Sequence, residues 1–188
     1  MDMYKVKWTP LQFEIFRFFC IKSGKSFNLA GVASALKKSP TAVSNSLNDL
    51  KKEGLINVVK EGKMNLLLIE FNRNCRKAID MKRVENLKMI YESELPHFLS
   101  ESFPGTTIIL FGSYSIGEDV WSDKIDEYTS DIDIAIIGAK SKEIDLTKFN
   151  KLLEREIILN FYPSFKEIHK HLKDNILNGI LLSGSIDI

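Results

Sequence analysis

Residues 106–117 read TTIILFGSYSIG and residues 130–138 read SDIDIAIIG, and these two stretches decide the fold of the C-terminal half. Each contains a run of apolar and β-branched residues typical of a buried strand. The first run ends in Gly112 and Ser113, where we expect a turn into a short helix. In the second run Asp131 and Asp133 alternate with isoleucines, so both carboxylates are predicted to point to the same side of the strand.

The aspartate pair and the Gly-Ser turn together predict a site for a metal-bound phosphate. Two carboxylates on one side of a strand repel each other unless a cation neutralises them. Mg²⁺ takes one or two carboxylates together with substrate phosphates. Glycine allows close backbone approach, the serine hydroxyl donates a hydrogen bond, and the helix N-terminus offers N–H groups. We therefore expect phosphoryl or nucleotidyl transfer with Mg²⁺.

These two stretches closely resemble the nucleotidyltransferase superfamily of the DNA polymerase beta type, in its minimal form, over about residues 96–188. The resemblance implies an α/β domain with a small mixed sheet. It also implies that Gly112 and Ser113 bind the phosphates of a nucleoside triphosphate, with ATP favoured. Asp131 and Asp133 are implied to be the catalytic Mg²⁺ ligands.

The chain departs from this family pattern in two places. The spacer between Ser113 and Asp131 is long and acidic, which predicts a surface loop near the active site that disfavours polyanions. The family generally has a third carboxylate on a later strand, which is expected here over residues 156–162. The central polar residue of that strand is Asn160, whose amide cannot act as a base. Either Glu156 is the third catalytic carboxylate, or the site is reduced to two aspartates.

The N-terminal part has a different pattern. Helical spacing of apolar residues predicts helices over Pro10–Ile21, 29–37 and 41–53, followed by strands over 55–60 and 63–71. This order resembles a winged helix-turn-helix domain over roughly residues 8–72, so we expect an α+β chain. The resemblance implies that the third helix enters the major groove of double-stranded DNA. The residues implied to contact DNA are Ser39, Thr41, Ser44, Asn45, Asn48, Lys51 and Lys63.

Two other interpretations of this polar helix face stay open. Any surface helix needs a solvated face, and winged helices also serve in protein binding and dimerisation. We divide the chain into a winged helix-turn-helix domain over 1–72, a connecting helix over 73–95 and a minimal nucleotidyltransferase domain over 96–188. The connector is predicted as one long helix over 73–101, broken at Pro96, that either packs on the domains or forms a homodimer.

The net charge of +1 averages two halves of opposite sign. Residues 1–72 carry 11 basic and 6 acidic residues, whereas residues 97–188 carry 9 basic and 15 acidic residues. This asymmetry indicates two modules with different partners. No apolar run approaches the roughly 20 residues that span a membrane. With only two cysteines, a disulfide framework is not expected, which favours the cytoplasm.

Two functions follow as hypotheses. Minimal nucleotidyltransferases similar to this one act as antitoxins of HEPN-type toxin proteins, some by transferring AMP from ATP to a toxin tyrosine. The first hypothesis is therefore a Mg²⁺-dependent nucleotidyltransferase that modifies a protein hydroxyl and whose winged helix regulates its own operon. The alternative is a non-catalytic transcription regulator whose C-terminal domain senses a nucleotide or binds a partner.

Overall fold

A computed structural model of the protein describes residues 8–61, 66–123 and 129–186. It divides into two compact units, each described here by itself. The first comprises Met1–Lys82 together with Val120–Lys124, and the second comprises Arg83–Asp119 together with Ile125–Ile188. The short piece Val120–Lys124, called the excursion segment below, belongs by sequence to the C-terminal half but packs in the first unit.

The first unit is a winged helix-turn-helix fold. Its elements are α1 (Pro10–Ile21), β1 (Phe27–Asn28), α2 (Leu29–Ala35), α3 (Pro40–Lys52), β2 (Ile56–Glu61) and β3 (Leu66–Phe71). The three strands form an antiparallel sheet of order β1-β3-β2. Together with the second sheet described below, this confirms the predicted α+β class.

Helix α1 begins where the sequence predicts because Thr9 and Gln12 form a reciprocal capping box. The Gln12 backbone N–H donates to Thr9 Oγ1 at 3.3 Å, and the Thr9 N–H donates to Gln12 Oε1 at 2.7 Å. Pro10 occupies the first turn, where no donor is needed. Gln12 also donates to Asp49 Oδ2 of α3 at 2.9 Å, so the cap residue joins two helices.

The helices pack around one apolar core. Ile15 and Phe19 of α1, Val32 of α2, and Val43 and Leu50 of α3 are all fully buried. Ile15 and Phe19 are four residues apart and Val43 and Leu50 are seven apart, which is the helical spacing that predicted α1 and α3. This core holds α3 with its opposite, polar face outward.

Strand β1 was not predicted. It has only two residues, which pair with Ile69 and Leu68 of β3, and two residues cannot display a period of two. Asn28 ends the strand and caps α2, since its side-chain Oδ1 accepts a hydrogen bond from the Gly31 N–H at 2.7 Å.

The second unit contains a four-stranded mixed sheet. The remaining elements of the chain are α4 (Arg76–Glu92), α5 (Leu95–Ser102), β4 (Thr107–Phe111), α6 (Gly112–Ile116), β5 (Ile132–Ile137), α7 (Thr147–Leu153), β6 (Ile157–Tyr162), a 3₁₀ turn (Phe165–Glu167), α8 (Lys170–Leu177) and β7 (Ile180–Ser183). Helix α4 begins in the first unit and ends in the second. The strand order is β6-β5-β4-β7, in which β5 and β6 are parallel and the other pairs are antiparallel.

The predicted long connector is two helices, and the break precedes Pro96. Helix α4 ends at Glu92, and Glu94 adopts a left-handed backbone conformation with φ of 63°. Pro96 lies in the first turn of α5, a position that needs no N–H donor. Ser93 bridges the break, because its Oγ donates to the Ile90 carbonyl at 2.7 Å and accepts from the Leu95 N–H at 3.3 Å.

One face of the second sheet is closed by C-terminal segments. Ile109, Ala135 and Ile137 on the sheet pack with Phe165 and Ile176. Asp131 and Asp133 precede Ala135 along the chain and lie on the same face of the sheet as Ala135 and Ile137. Within the described parts of the chain, no helix is long and apolar enough to cross a membrane.

Candidate active site

Gly112 lies directly against the carboxylate of Asp133. Strand β4 ends at Phe111, which pairs with Asp133 in the antiparallel register, and α6 begins at Gly112 with φ of 73°. A Cβ atom at Gly112 would lie 2.6 Å from Asp133 Oδ2. Both the positive φ and the close approach require glycine here. The structure thus brings the Gly-Ser turn and the aspartate strand together.

The two aspartates influence each other electrostatically. Asp133 lies on β5 and Asp131 precedes its first residue, and both side chains are half-buried. Burial raises the pKa of Asp133, and the negative charge of Asp131 raises it further. This is the effect expected of two carboxylates on one side of a strand. Without a counter-cation, ionisation of Asp133 beside Asp131 is therefore disfavoured.

These residues fit a Mg²⁺ ion shared with a substrate. Among residues 8–61, 66–123 and 129–186, no three His, Cys, Asp or Glu side chains come together as a metal-binding group. A pair of carboxylates is nevertheless a sufficient protein contribution for Mg²⁺ when substrate phosphates complete the coordination. Asp131 and Asp133 are the two residues that would hold it.

Strand β6 places the residues considered for the third carboxylate. In its parallel register Ile158 lies opposite Asp133, and Asn160 lies opposite Ala135. Glu156 precedes the strand and is exposed, and its backbone carbonyl accepts a hydrogen bond from the Ile132 N–H at 2.8 Å. The side chain facing Asp133 across the strands is therefore apolar, and whether Glu156 acts in catalysis stays a prediction.

Tyr162 lies at the far end of the same strand, opposite Ile137 of β5. Burial raises the pKa of its phenol, and the negative charge of Asp133 raises it further. Tyr162 shares its strand face with Asn160 and Glu156 by the period of two. The alternation of side chains along the strand predicts that Tyr162 lies on this face. It does not predict which charged groups act on the phenol.

Most of the predicted DNA-binding residues lie on an exposed face of α3, and Ser39 caps the start of that helix. Thr41, Ser44, Asn45, Asn48 and Lys51 are all exposed. Ser39 is the N-cap of the helix, because its Oγ accepts a hydrogen bond from the Ala42 N–H at 3.2 Å. Lys63 lies outside the described residues.

Residues 92–182 match the family model of a nucleotidyltransferase domain. The match spans just under half of the chain and includes Gly112, Ser113, Asp131 and Asp133. No curated protein matches the chain significantly.

Similarity to solved structures is distant. A zinc-responsive MarR family member, ZitR of Lactococcus lactis, is 22% identical, with a TM-score of 0.40 over 55% of this chain and 68% of that one. The adhesin competence repressor AdcR of Streptococcus pyogenes is 17% identical, with a TM-score of 0.40 over 52% and 69%. A MepR-DNA complex from S. aureus is 17% identical, with a TM-score of 0.37 over 50% and 77%.

A cleft of about 550 Å³ opens beside Asp131 in the second unit. It extends along α7 from its first residue, Thr147, to the start of β6. Its lining residues are Thr129, Asp131, Thr147, Asn150, Lys151, Glu154, Arg155 and Glu156. Asp131 thus borders both this cleft and the site formed with Asp133.

Asp119 corrects the prediction of an acidic surface loop. The side chain is 1% exposed, and its Oδ2 accepts a hydrogen bond from Arg155 Nη2 at 2.9 Å. Its Oδ1 accepts from Asn86 Nδ2 at 2.8 Å, and the same amide donates to the Tyr114 carbonyl at 2.9 Å. This acidic residue is a core ion-pair partner, so it does not contribute a surface charge that repels polyanions.

The excursion segment accounts for more of the predicted loop. Trp121 donates its backbone N–H to the Ser23 carbonyl at 2.6 Å, and its ring lies 3.6 Å from Lys22 Nζ. Asp123 forms an ion pair with Lys25. Trp121 and Asp123 of the predicted loop therefore have their partners in the first unit, and Asp123 remains half-exposed. Asp126 and Glu127 lie outside the described residues.

Proposed function

We propose that this protein is a Mg²⁺-dependent nucleotidyltransferase that transfers AMP from ATP to a protein hydroxyl and that regulates its own operon through DNA binding. The observation that carries the proposal is the contact between Gly112 and the Asp133 carboxylate. It places a turn suited to phosphates beside a carboxylate pair suited to Mg²⁺, inside the segment that matches the nucleotidyltransferase model.

The chain's residues divide the reaction between them. Gly112 and Ser113 bind the triphosphate through backbone N–H groups and the serine hydroxyl. Asp131 and Asp133 would hold Mg²⁺, which would supply neutralisation of the phosphate charge. The acceptor oxygen forms a bond to the α-phosphorus, the bond from that phosphorus to the β-phosphate oxygen breaks, and pyrophosphate leaves. Glu156 is our candidate for accepting the hydroxyl proton, as it lines the cleft beside Asp131.

The proposed acceptor is a protein. This rests on the resemblance to antitoxins that modify HEPN-type toxins, which makes such a toxin the partner to test first. Because Asp119 is buried in an ion pair, its charge no longer argues against a nucleic-acid acceptor. The exposed carboxylates of Glu154 and Glu156 beside Asp131 still argue against one, because they disfavour a polyanion at that position.

DNA binding is proposed for the first unit. Support comes from the exposed polar face of α3 and from Lys51 and Lys52, which are both exposed at its C-terminal end. Short polar side chains contact base edges or phosphates, and lysines add the salt-dependent attraction to phosphates. A homodimer that matches a two-fold DNA site and a cytoplasmic location belong to the same proposal.

The alternative is a non-catalytic regulator whose C-terminal domain binds a nucleotide or a partner. Ile158 opposite Asp133 and an amide at Asn160 favour it, since neither side chain takes up a proton from an attacking hydroxyl.

One experiment separates the two functions. The protein is incubated with ATP labelled at the α-phosphate, Mg²⁺ and the partner that co-purifies with it. We expect transfer of label to the partner, and its loss in Asp131→Asn and Asp133→Asn. Saturable ATP binding without any transfer by the wild type would instead support the non-catalytic regulator.

A further inference from the structure

The cleft beside Asp131 is distinct from the surface proposed to hold the triphosphate. Its lining includes Asp131 but not Gly112, Ser113 or Asp133. Its volume of about 550 Å³ lies within the range of about 300–1,000 Å³ typical of ligand sites. A group bound there would adjoin the reacting phosphate through the one aspartate that both surfaces share. That is the position an attacking acceptor requires.

The charges of the lining select against a second phosphate group. Asp131, Glu154 and Glu156 supply three carboxylates, and the latter two are exposed. The basic residues of the lining are Lys151 and Arg155. The Arg155 side chain is 1% exposed and forms an ion pair with Asp119 at 2.9 Å. The surface that a ligand meets is therefore negative, which attracts cations and repels polyphosphates.

The neutral residues of the cleft suit a polypeptide. Thr129, Thr147 and Asn150 line the cleft, and the Thr147 side chain is hydrogen-bonded to the carboxylate of Asp145. Asn150 is held in place because its Oδ1 accepts a hydrogen bond from the Ile157 N–H at 3.2 Å. Amide and hydroxyl side chains are groups that can bond to peptide N–H and C=O groups.

We infer that this cleft binds the acceptor, and that the acceptor is a polypeptide segment carrying its hydroxyl among lysine or arginine residues. This inference takes the transfer reaction from the proposed function, but binding in the cleft needs no nucleotide. In the transfer the acceptor oxygen forms a bond to the α-phosphorus of ATP and thereby takes up AMP. The bond from that phosphorus to the β-phosphate oxygen breaks, pyrophosphate leaves, and the hydroxyl proton passes to Glu156 or to water.

The test measures peptide binding to the full chain without nucleotide. Two fluorescein-labelled peptides are compared by anisotropy, one with a tyrosine flanked by lysines and one with the tyrosine flanked by glutamates. We expect the basic peptide to bind about tenfold more tightly or better. Glu154→Gln should weaken its binding about three- to tenfold, and Lys151→Gln should strengthen it, since the two substitutions change the cleft's charge in opposite directions.

Glu143→Gln is the matched control. It removes one exposed carboxylate from the second unit outside the cleft and should leave peptide binding unchanged. Equal binding of the two peptides, or equal losses in Glu143→Gln and Glu154→Gln, would overturn the inference. Label transfer from ATP is measured separately. A peptide that binds in a Glu154-dependent way without being modified contradicts the proposed transferase and leaves the cleft assignment standing.

Discussion

Arg155 and Asp119 form a buried ion pair, with Nη2 and Oδ2 at 2.9 Å and each side chain 1% exposed. Arg155 immediately precedes Glu156 and β6, and Asp119 follows the Gly-Ser helix α6. Asn86 of α4 adds hydrogen bonds to Asp119 and to the Tyr114 carbonyl. One cluster therefore fixes both the chain that leaves the Gly-Ser turn and the chain that enters the strand beside Asp133.

Removing one partner of this pair should strongly destabilise the second unit. Asp119→Ala leaves a buried guanidinium without its counter-charge, a loss of about 3–5 kcal/mol in the free energy of unfolding. Hydrogen exchange of the β4 and β5 amides is the suitable measurement. Glu118→Ala, at the exposed neighbouring position, is the control, and equal exchange rates in both variants would contradict the prediction.

Gly112→Ala should impair ATP binding far more than a comparable substitution elsewhere. The new Cβ would lie 2.6 Å from Asp133 Oδ2, so the carboxylate must move. Gly105→Ala is a matched control because its φ of 75° is nearly the same, while nothing lies within 4 Å of its Cβ. Both variants carry the backbone strain of about 1–2 kcal/mol, but only Gly112→Ala should weaken ATP binding, by about tenfold or more in calorimetry. Equal losses in the two variants would mean that strain alone accounts for the effect.

The pKa of Asp133 should fall when Asp131 is neutralised. Burial raises this pKa from its ordinary 3.8, and the charge of Asp131 adds to the rise, so Asp131→Asn removes the second cause only. Since the folded-state pKa is raised, the stability contributed by Asp133 is complete below 3.8 and is lost as pH rises through the folded pKa. The variant should lose less stability over that interval. Carboxyl ¹³C NMR titration without Mg²⁺ measures the pKa, with Glu101→Gln as a control expected to leave it unchanged.

Lys51→Glu should weaken DNA binding if α3 enters the major groove. Reversal of one phosphate-contacting charge should lower affinity at moderate salt by about tenfold or more. It should also reduce the slope of log affinity against log salt by about one. Lys88→Glu on α4 provides a matched charge reversal at another exposed lysine and should have little effect. Gel shifts across salt concentrations check both expectations, and similar salt slopes for wild type and Lys51→Glu would argue against the groove model.

The sequence predicted those features that depend on local pattern. Thr9 and Pro10 marked the start of α1, and the alternation around Asp131 and Asp133 marked a strand with both carboxylates on one face. Residues 112 and 133 meet because Phe111 pairs with Asp133, a register consistent with two apolar runs next to each other in one sheet.

Other features depend on partners distant in sequence and could not be predicted in this way. Asp119 was assigned to the surface because its neighbours are acidic, and only the folded chain brings Arg155 to it. Likewise, the pairing of Trp121 with Lys22 joins positions about a hundred residues apart, and no local period signals it. The two-residue strand β1 is too short to display any pattern.

The excursion segment determines how this chain can be divided. Because Val120–Lys124 packs in the first unit, the polypeptide passes from one unit to the other three times, and no single cut separates them. A fragment ending at Lys82 would lack the ring over Lys22 and the carboxylate that pairs with Lys25. A fragment starting at Arg83 would expose Trp121 to solvent. Expressing the first half alone therefore removes native contacts, and expressing the second half alone leaves an exposed tryptophan. Function is better dissected with point substitutions in the intact chain.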